Sequence, residues 1–268
     1  MPHFLATLCF LLVFVPITNA QPGKDVEKSL LETPEEVLEA NIEATGGRTE
    51  WEAVQSMQIT GTRISDSPMG SGKMTSTYVE NIRYPGYLHN ASEMDTPMGS
   101  MTVTRVRTPA ASWVEAGPMG RRDLPVRPSV TLERACPELA ILDDAEFAIT
   151  GLATESFEGQ YVYVVSHDVA GVTLRRYYDQ ESLLLLGAER ISAGGDEGSE
   201  PELVKYRDYR SVDGLLISHA QAEEVTMTMI SRSGGGDETQ TQHRGESSVT
   251  IENIVINPGV DDSLFSNE

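Results

Sequence analysis

Cysteine is scarce in this chain, with Cys9 and Cys136 as its whole complement. Cys9 lies within an apolar run near the start, behind bulky Leu8, a poor setting for acylation. With that run set apart Cys136 stands alone, so an intrachain disulfide and a cysteine-based metal site are both excluded. Stability must come from packing. In LERACPELAIL the lone thiol lies near Leu132 and Leu139, the setting of a small buried apolar residue rather than a nucleophile. Lysine is scarcer than arginine, since only Lys24, Lys28, Lys73 and Lys205 stand among 20 basic residues against 41 acidic ones. The formal charge of -21 repels phosphate backbones, so nucleic acid is not an expected partner. An acidic, lysine-poor surface fits work in high salt, where screening suppresses self-repulsion.

Catalytic patterns are missing as well. No HExxH or HxxEH zinc motif, GxSxG elbow or Cys/His ligand spacing occurs, so no catalytic residue, metal or cofactor is expected. Gly70 to Thr75 imitates a phosphate loop, but Met74 stands where Ser or Thr is required and a strand follows. His89, His167, His219 and His243 are scattered over separate strands or loops, where packed or surface histidines are the rule. Asp143-Asp144 and Asp261-Asp262 lack the spaced ligands of a calcium loop. Asn90-Ala91-Ser92 is a glycosylation sequon only in a host that uses it.

What is present begins with an apolar stretch from Phe4 to Ile17, too short for a comfortable membrane span and followed by Thr18-Asn19-Ala20. Residues 1 to 20 are read as a cleavable export signal, although no Lys or Arg precedes the run, and residues 21 to 32 as a loose leader. A helix is predicted at Thr33-Pro34-Glu35-Glu36: Thr33 caps the free amides, Pro34 suits the first position, and Glu36 reaches back as the capping-box acid. Val37, Leu38, Ile42 and Ala44 form its apolar side, and Gly46-Gly47 supply the positive φ that ends it. Thr49-Glu50-Trp51-Glu52 repeats the capping pattern and predicts a second short turn.

From Met57 onward the apolar residues fall at every second position. Met101, Val103 and Arg105 oppose Thr102, Thr104 and Val106, and Val225, Met227 and Met229 oppose Thr226 and Thr228, as in strands with one dry face. Further runs are MQITGTRI, KMTSTYVENI, EFAITGLAT, QYVYVVSHD, VTLRRYYD, LLLLGAERI, LVKYRDY and SSVTIENIVI. Asp213-Gly214 predicts a two-residue hairpin, while SAGGDEGSEPE and SRSGGGDETQTQ read as solvated tips. Leu132 to Leu142 reads as a short helix. Pro-Met-Gly recurs at 68–70, 97–99 and 118–120, each time where a turn is expected. With no proline or serine tract between halves, residues 33 to 268 are read as one mainly β domain with an N-terminal helix. Nine methionines and few bulky aromatics remain beyond the signal, a composition that suits either a greasy ligand or an irregular core.

The order of ANIEATGGRTEWEAVQSMQITG, Ala111-Ser112-Trp113-Val114, RRYYDQES, DYRSVDG and the terminal NPGVDDSLF resembles the LolA-type lipoprotein-sorting proteins, over about Thr33 to Phe265. The resemblance implies a single antiparallel, unclosed β-barrel bent into a half-pipe, with helices covering an apolar concave face that takes up acyl chains. It implies Val37, Leu38, Ile42 and Trp51 as the lid. Met101, Val103, Trp113, Val225, Met227 and Met229 are the expected cavity wall. It also implies an exported, monomeric, non-enzymatic protein of the periplasm or cell envelope. The expected partners are lipid or lipoprotein acyl chains and an envelope protein. Two rival readings remain open: a sensor or protein-interaction module whose interior is filled with its own side chains, and an enzyme in which His167, His219 or an acidic pair converge in a cleft.

Overall fold

Thr33 accepts a hydrogen bond from the Glu36 amide at 3.2 Å, and the Glu36 carboxylate accepts from the Thr33 amide at 3.1 Å, so the capping box opens helix α1, Pro34–Ala44. The two amides that bond it, those of Glu32 and Thr33, hold the Glu36 carboxyl below its ordinary pKa. Gly46 and Gly47, at φ of 134° and 95°, turn the chain into α2, Arg48–Glu52. Here the expectation of a Thr49 cap is corrected. Gly47, two residues earlier than expected, is the N-cap without a side-chain bond, and Arg48 opens the turn with ion pairs to Glu39 and Asp143.

This computed structural model describes residues 30–66, 72–96, 99–117, 120–126, 130–169, 171–192, 202–232 and 238–266. The expected signal, the leader as far as residue 29 and the Pro-Met pairs of the three Pro-Met-Gly turns lie outside them. The strands are β1 Ser56–Asp66, β2 Lys73–Arg83, β3 Tyr87–Thr96, β4 Gly99–Arg107, β5 Ser112–Ala116 and β6 Arg121–Leu124. Two helices, α3 Val130–Glu133 and α4 Pro137–Asp143, stand where one interruption was expected. Then follow β7 Ala148–Phe157, β8 Gln160–Val169, β9 Val172–Asp179, β10 Leu185–Ser192, β11 Glu202–Val212, β12 Leu215–Arg232 and β13 Glu238–Ile256.

Every adjacent pair is antiparallel, and the thirteen strands form one sheet in the order β6-β5-β4-β3-β2-β1-β13-β12-β11-β10-β9-β8-β7. The chain therefore walks outward from the middle to one edge, crosses by α3 and α4, and walks back from the other edge. β6 and β7 do not pair, so the sheet is an unclosed barrel. A twisted sheet of more than about ten strands curls rather than lying flat, and the hollow this makes holds the helices. Asp213 and Gly214, at φ of 49° and 90°, form the expected two-residue hairpin between β11 and β12. The acidic joint near residue 235 is shorter than expected, because ETQTQ joins β13 and pairs with β12.

Two clusters fix the helices to the concave face. Val37 and Leu38 of α1 and Ala140 and Ile141 of α4 pack on Tyr163, Val165, Tyr178 and Leu185 from β8 to β10. Ile42, Trp51 and Val54 join Cys136 and Leu139 over Met57 of β1 and Leu215 of β12. Val37, Leu38 and Ile42 are fully buried, and each such side chain contributes about 1.5–3 kcal/mol. Gly46 has to be glycine on two counts: besides its φ, a Cβ there meets the Leu215 side chain at 2.6 Å. That close approach seats the helix end on the β11–β12 hairpin, where the Leu216 amide donates to the Thr45 carbonyl at 2.9 Å.

A buried ion pair ties the cap to the sheet. Arg176 of β9 donates to Glu138 of α4 at 2.6 Å, Tyr178 donates to the same oxygen at 2.9 Å, and the Cys136 thiol lies 3.3 Å from the other. Burial works to raise the Glu138 pKa, but the Arg176 charge and these hydrogen bonds outweigh it and hold the carboxyl below its ordinary range. Burial pushes the Cys136 thiol well up, in keeping with a packing role.

Candidate functional site

Helices α1, α2 and α4 occupy the concave face over β7 to β12 and the sheet centre, while α3 lies against the β2–β5 side. The face of β1 to β4 is left with a trough of about 350 Å3. Register decides what lines it. Antiparallel partners share a face, and Ile59, Glu80 and Asn90 are partners across β1, β2 and β3, with Arg105 of β4 opposite Asn90. The neighbouring row sets Tyr78 beside Ser92 and Val103. Val249 and Ile251 of β13 complete the apolar wall, with Met74 and Met94 toward one end. A second hollow of about 380 Å3 shares Glu80, Leu88 and Arg105 with the first and runs under α3, past Arg107, Ser112 and Leu132.

The trough is of mixed polarity. Asn90 donates to Glu80 at 3.0 Å and accepts from the Ser92 hydroxyl at 3.0 Å. Burial raises the Glu80 pKa, against the Asn90 hydrogen bond and the charges of Arg63 and Arg105. Gly61 carries no side chain because the Tyr78 hydroxyl lies where a Cβ would meet it at 2.8 Å, and burial pushes the Tyr78 pKa up to about 12. Arg63 pairs with Glu223 at 3.4 Å. Arg107 has a buried Nε with no hydrogen-bond partner among the described residues, and burial lowers its pKa while Glu133 opposes the shift.

The expected site residues divide. Val103 lines the trough. Met101 is half-buried and opposite Met94, whose side chain is part of the wall. Trp113 is corrected: it pairs with Val106, one residue out of step with Arg105, so strand alternation turns it to the other face. There it is buried with Val106 and Phe265 beneath the C-terminal segment, and Arg121 lies 4.2 Å above its ring. The backbones of Val225, Met227 and Met229 lie on a ribbon where β12 and β13 pair only with each other, past the last partners on β11 and β1. Their side chains are outside the described residues. Val37, Leu38, Ile42 and Trp51 are in the cap, packed over the β8–β10 half and the centre rather than over the trough.

Glu80, Asn90, Ser92 and Arg105 are not among the site residues expected from the sequence, although Arg105 stands in the same row as Met101 and Val103. A signal existed, because Met74, Ser76, Tyr78, Glu80 and Ile82 share one alternation, and Glu80 stands in the inward row between Tyr78 and Ile82.

His167, His219 and the Asp143-Asp144 pair stand on different elements, β8, β12 and the end of α4. Both ring nitrogens of fully buried His167 lack partners among the described residues, and its ring packs edge-on against Phe147. His219 Nδ1 lies 2.9 Å from the Ile217 carbonyl. Asp143 and Asp144 pair with Arg134 and, for Asp143, Arg48, on the wall of a wide surface groove of about 790 Å3 beside α2 and α4. Those charges are already matched. No group of three or more His, Cys, Asp or Glu suited to a metal occurs among the described residues.

No family model and no curated protein matches the sequence. Solved structures match the fold. A LolA superfamily protein from Nitrosomonas europaea superposes with a TM-score of 0.55 at 13% identity, covering 88% of this chain and 98% of that one. A DUF1329 family protein from Desulfovibrio piger gives 0.53 at 10% identity, with 88% and 98% covered. A domain described as outer membrane lipoprotein-sorting, from Vibrio parahaemolyticus, gives 0.52 at 12% identity, with 87% and 95% covered. Identities this low speak for the fold alone. With its single unclosed antiparallel sheet and its helices on the concave face, this chain has a LolA-like fold.

Proposed function

We propose that this protein is an exported, non-enzymatic carrier of the periplasm or cell envelope that holds an acyl chain of a lipid or lipoprotein in its trough. The observation that carries the reading is the half-covered concave face: the helices saturate one half with Val37, Leu38, Ile42 and Trp51, and the other half keeps a hollow of about 350 Å3. That volume falls in the roughly 300–1,000 Å3 range of small-molecule sites. Each 100 Å2 of acyl surface removed from water contributes about 2.5 kcal/mol, before the cost of association. Val103, Ile251 and Met94 supply apolar wall for such a chain, and Met101 extends it.

Native mass spectrometry of the purified protein, with solvent extraction of the same sample, tests the reading. A co-purifying acyl lipid is expected. Repeated apo spectra with an empty extract, together with no uptake of added lipid, would overturn it. They would favour an interaction module of the same shape, a reading to which the self-filled half of the concave face lends support.

A further inference from the structure

We infer that the ligand of the trough is an anionic single-chain amphiphile whose carboxylate or phosphate head is held by Arg105 and Arg107. The inference rests on the carrier reading above and adds the chemistry of the head group. Acidic residues outnumber basic ones by 41 to 20, and nine described arginines have a carboxylate within 4 Å. Arg105, Arg107, Arg122 and Arg190 have none among the described residues, and of these four Arg105 and Arg107 line the hollows. Cations with no carboxylate in ion-pair contact, both on the wall of a hollow in so acidic a chain, are the feature that calls for an outside anion.

Their placement suits one. They stand two residues apart on β4, hence on one face and roughly 6.6 Å apart along the strand, a spacing two long guanidinium side chains can converge across. Both line the hollow under α3, and Arg105 also faces the main trough. Two carboxylates look toward them without pairing: Glu80, held by Asn90, and Glu133 of α3. Arginine is the side chain whose planar donor fork fits carboxylate and phosphate oxygens. From Arg105 the wall runs by Val103, Met94 and Met74 to Val249, crossing four strand spacings from β4 to β13, roughly 19 Å of arc. A charged head at one end, and beyond it apolar side chains set among Ser92, Ser76 and the Glu223-paired Arg63, describe a single-tailed anionic amphiphile.

The test uses the chain without its expected signal, at probe concentrations below micelle formation. cis-Parinaric acid and its methyl ester are titrated by fluorescence, and oleoyl lysophosphatidic acid and mono-oleoylglycerol serve as displacers. The acid is expected to bind at least tenfold tighter than the ester. In the R105Q/R107Q double variant that preference falls below twofold while ester affinity is retained, which also reports an intact fold. Lysophosphatidic acid displacing better than the neutral glyceride supports the same site, and its strength relative to the fatty acid tells phosphate from carboxylate. Equal binding of acid and ester, or a preference that survives the double variant, overturns the anion site and leaves the carrier reading standing. No binding by any probe overturns both.

Discussion

Replacing Glu138 with alanine removes the carboxylate that receives Arg176 at 2.6 Å and Tyr178 at 2.9 Å. The two side chains of this pair are 5% and 4% exposed, so the stranded guanidinium keeps a charge beyond the reach of water. Among the described residues its remaining hydrogen-bond partner is the Tyr178 hydroxyl, at 2.9 Å from Nε. Breaking a buried pair from one side costs about 3–5 kcal/mol. With a urea slope of about 3 kcal/mol per molar, the midpoint of Glu138→Ala should fall by about 1–1.7 M. Removing both charges as Glu138→Leu with Arg176→Met should recover most of the loss, because apolar replacement of a buried pair is near neutral or stabilising. The pH dependence has a fixed sign. Glu138 is held below its ordinary value of 4.5 in the fold, so its contribution is complete above that value and fades as pH falls through the folded one. A midpoint shift under 0.3 M for Glu138→Ala, or a double variant less stable than the single, would refute the reasoning that the pair pins α4 to β9.

His167 is held neutral, its pKa pushed down to about 4 chiefly by burial, with Arg176 adding to the effect. The unfolded chain therefore takes up a proton near pH 6.5 that the fold refuses; the unfolding free energy from urea titrations should fall by about 3 kcal/mol from this residue between pH 6.5 and 4, and His167→Leu should flatten that part of the profile. Val103→Trp should fill the trough and cut the lipid recovered by extraction several-fold, with stability changed by less than about 1 kcal/mol, since the new side chain enters open space. The acidic surface predicts a higher urea midpoint in molar salt than at low ionic strength; equal midpoints count against adaptation to high salt.

How far the sequence discloses this fold depends on what each segment packs against. The start of α1 is legible because Thr33, Pro34 and Glu36 act within one turn, and the β11–β12 hairpin because Asp213-Gly214 needs only local backbone freedom. β8 is legible through QYVYVVSHD, whose residues are buried on both faces. β3 was missed: its inward row is Leu88, Asn90, Ser92 and Met94, and a strand facing a polar hollow carries no dry alternation. β6 was missed too, as four largely exposed residues at a sheet edge. The same cause hid the site. Apolar periodicity identifies what is packed, so it marked Val37, Leu38 and Ile42, which are buried away from the trough, and put Trp113 in the cavity, whereas the trough is marked by Glu80, Asn90 and Arg105, polar residues in inward positions. Gathering them takes the register of four strands, which no single segment reveals.

The central claim is that the concave face of β1 to β4 and β13, and not the capped half, receives the ligand. Photocrosslinking with a diazirine-labelled palmitate, followed by peptide mapping, addresses it directly. Label is expected on peptides carrying Met74, Met94, Val103 and Val249, and competed away by unlabelled palmitate. Competable label confined to the outer face around Trp113 and Phe265, or to the β8–β10 peptides beneath α1, would contradict it.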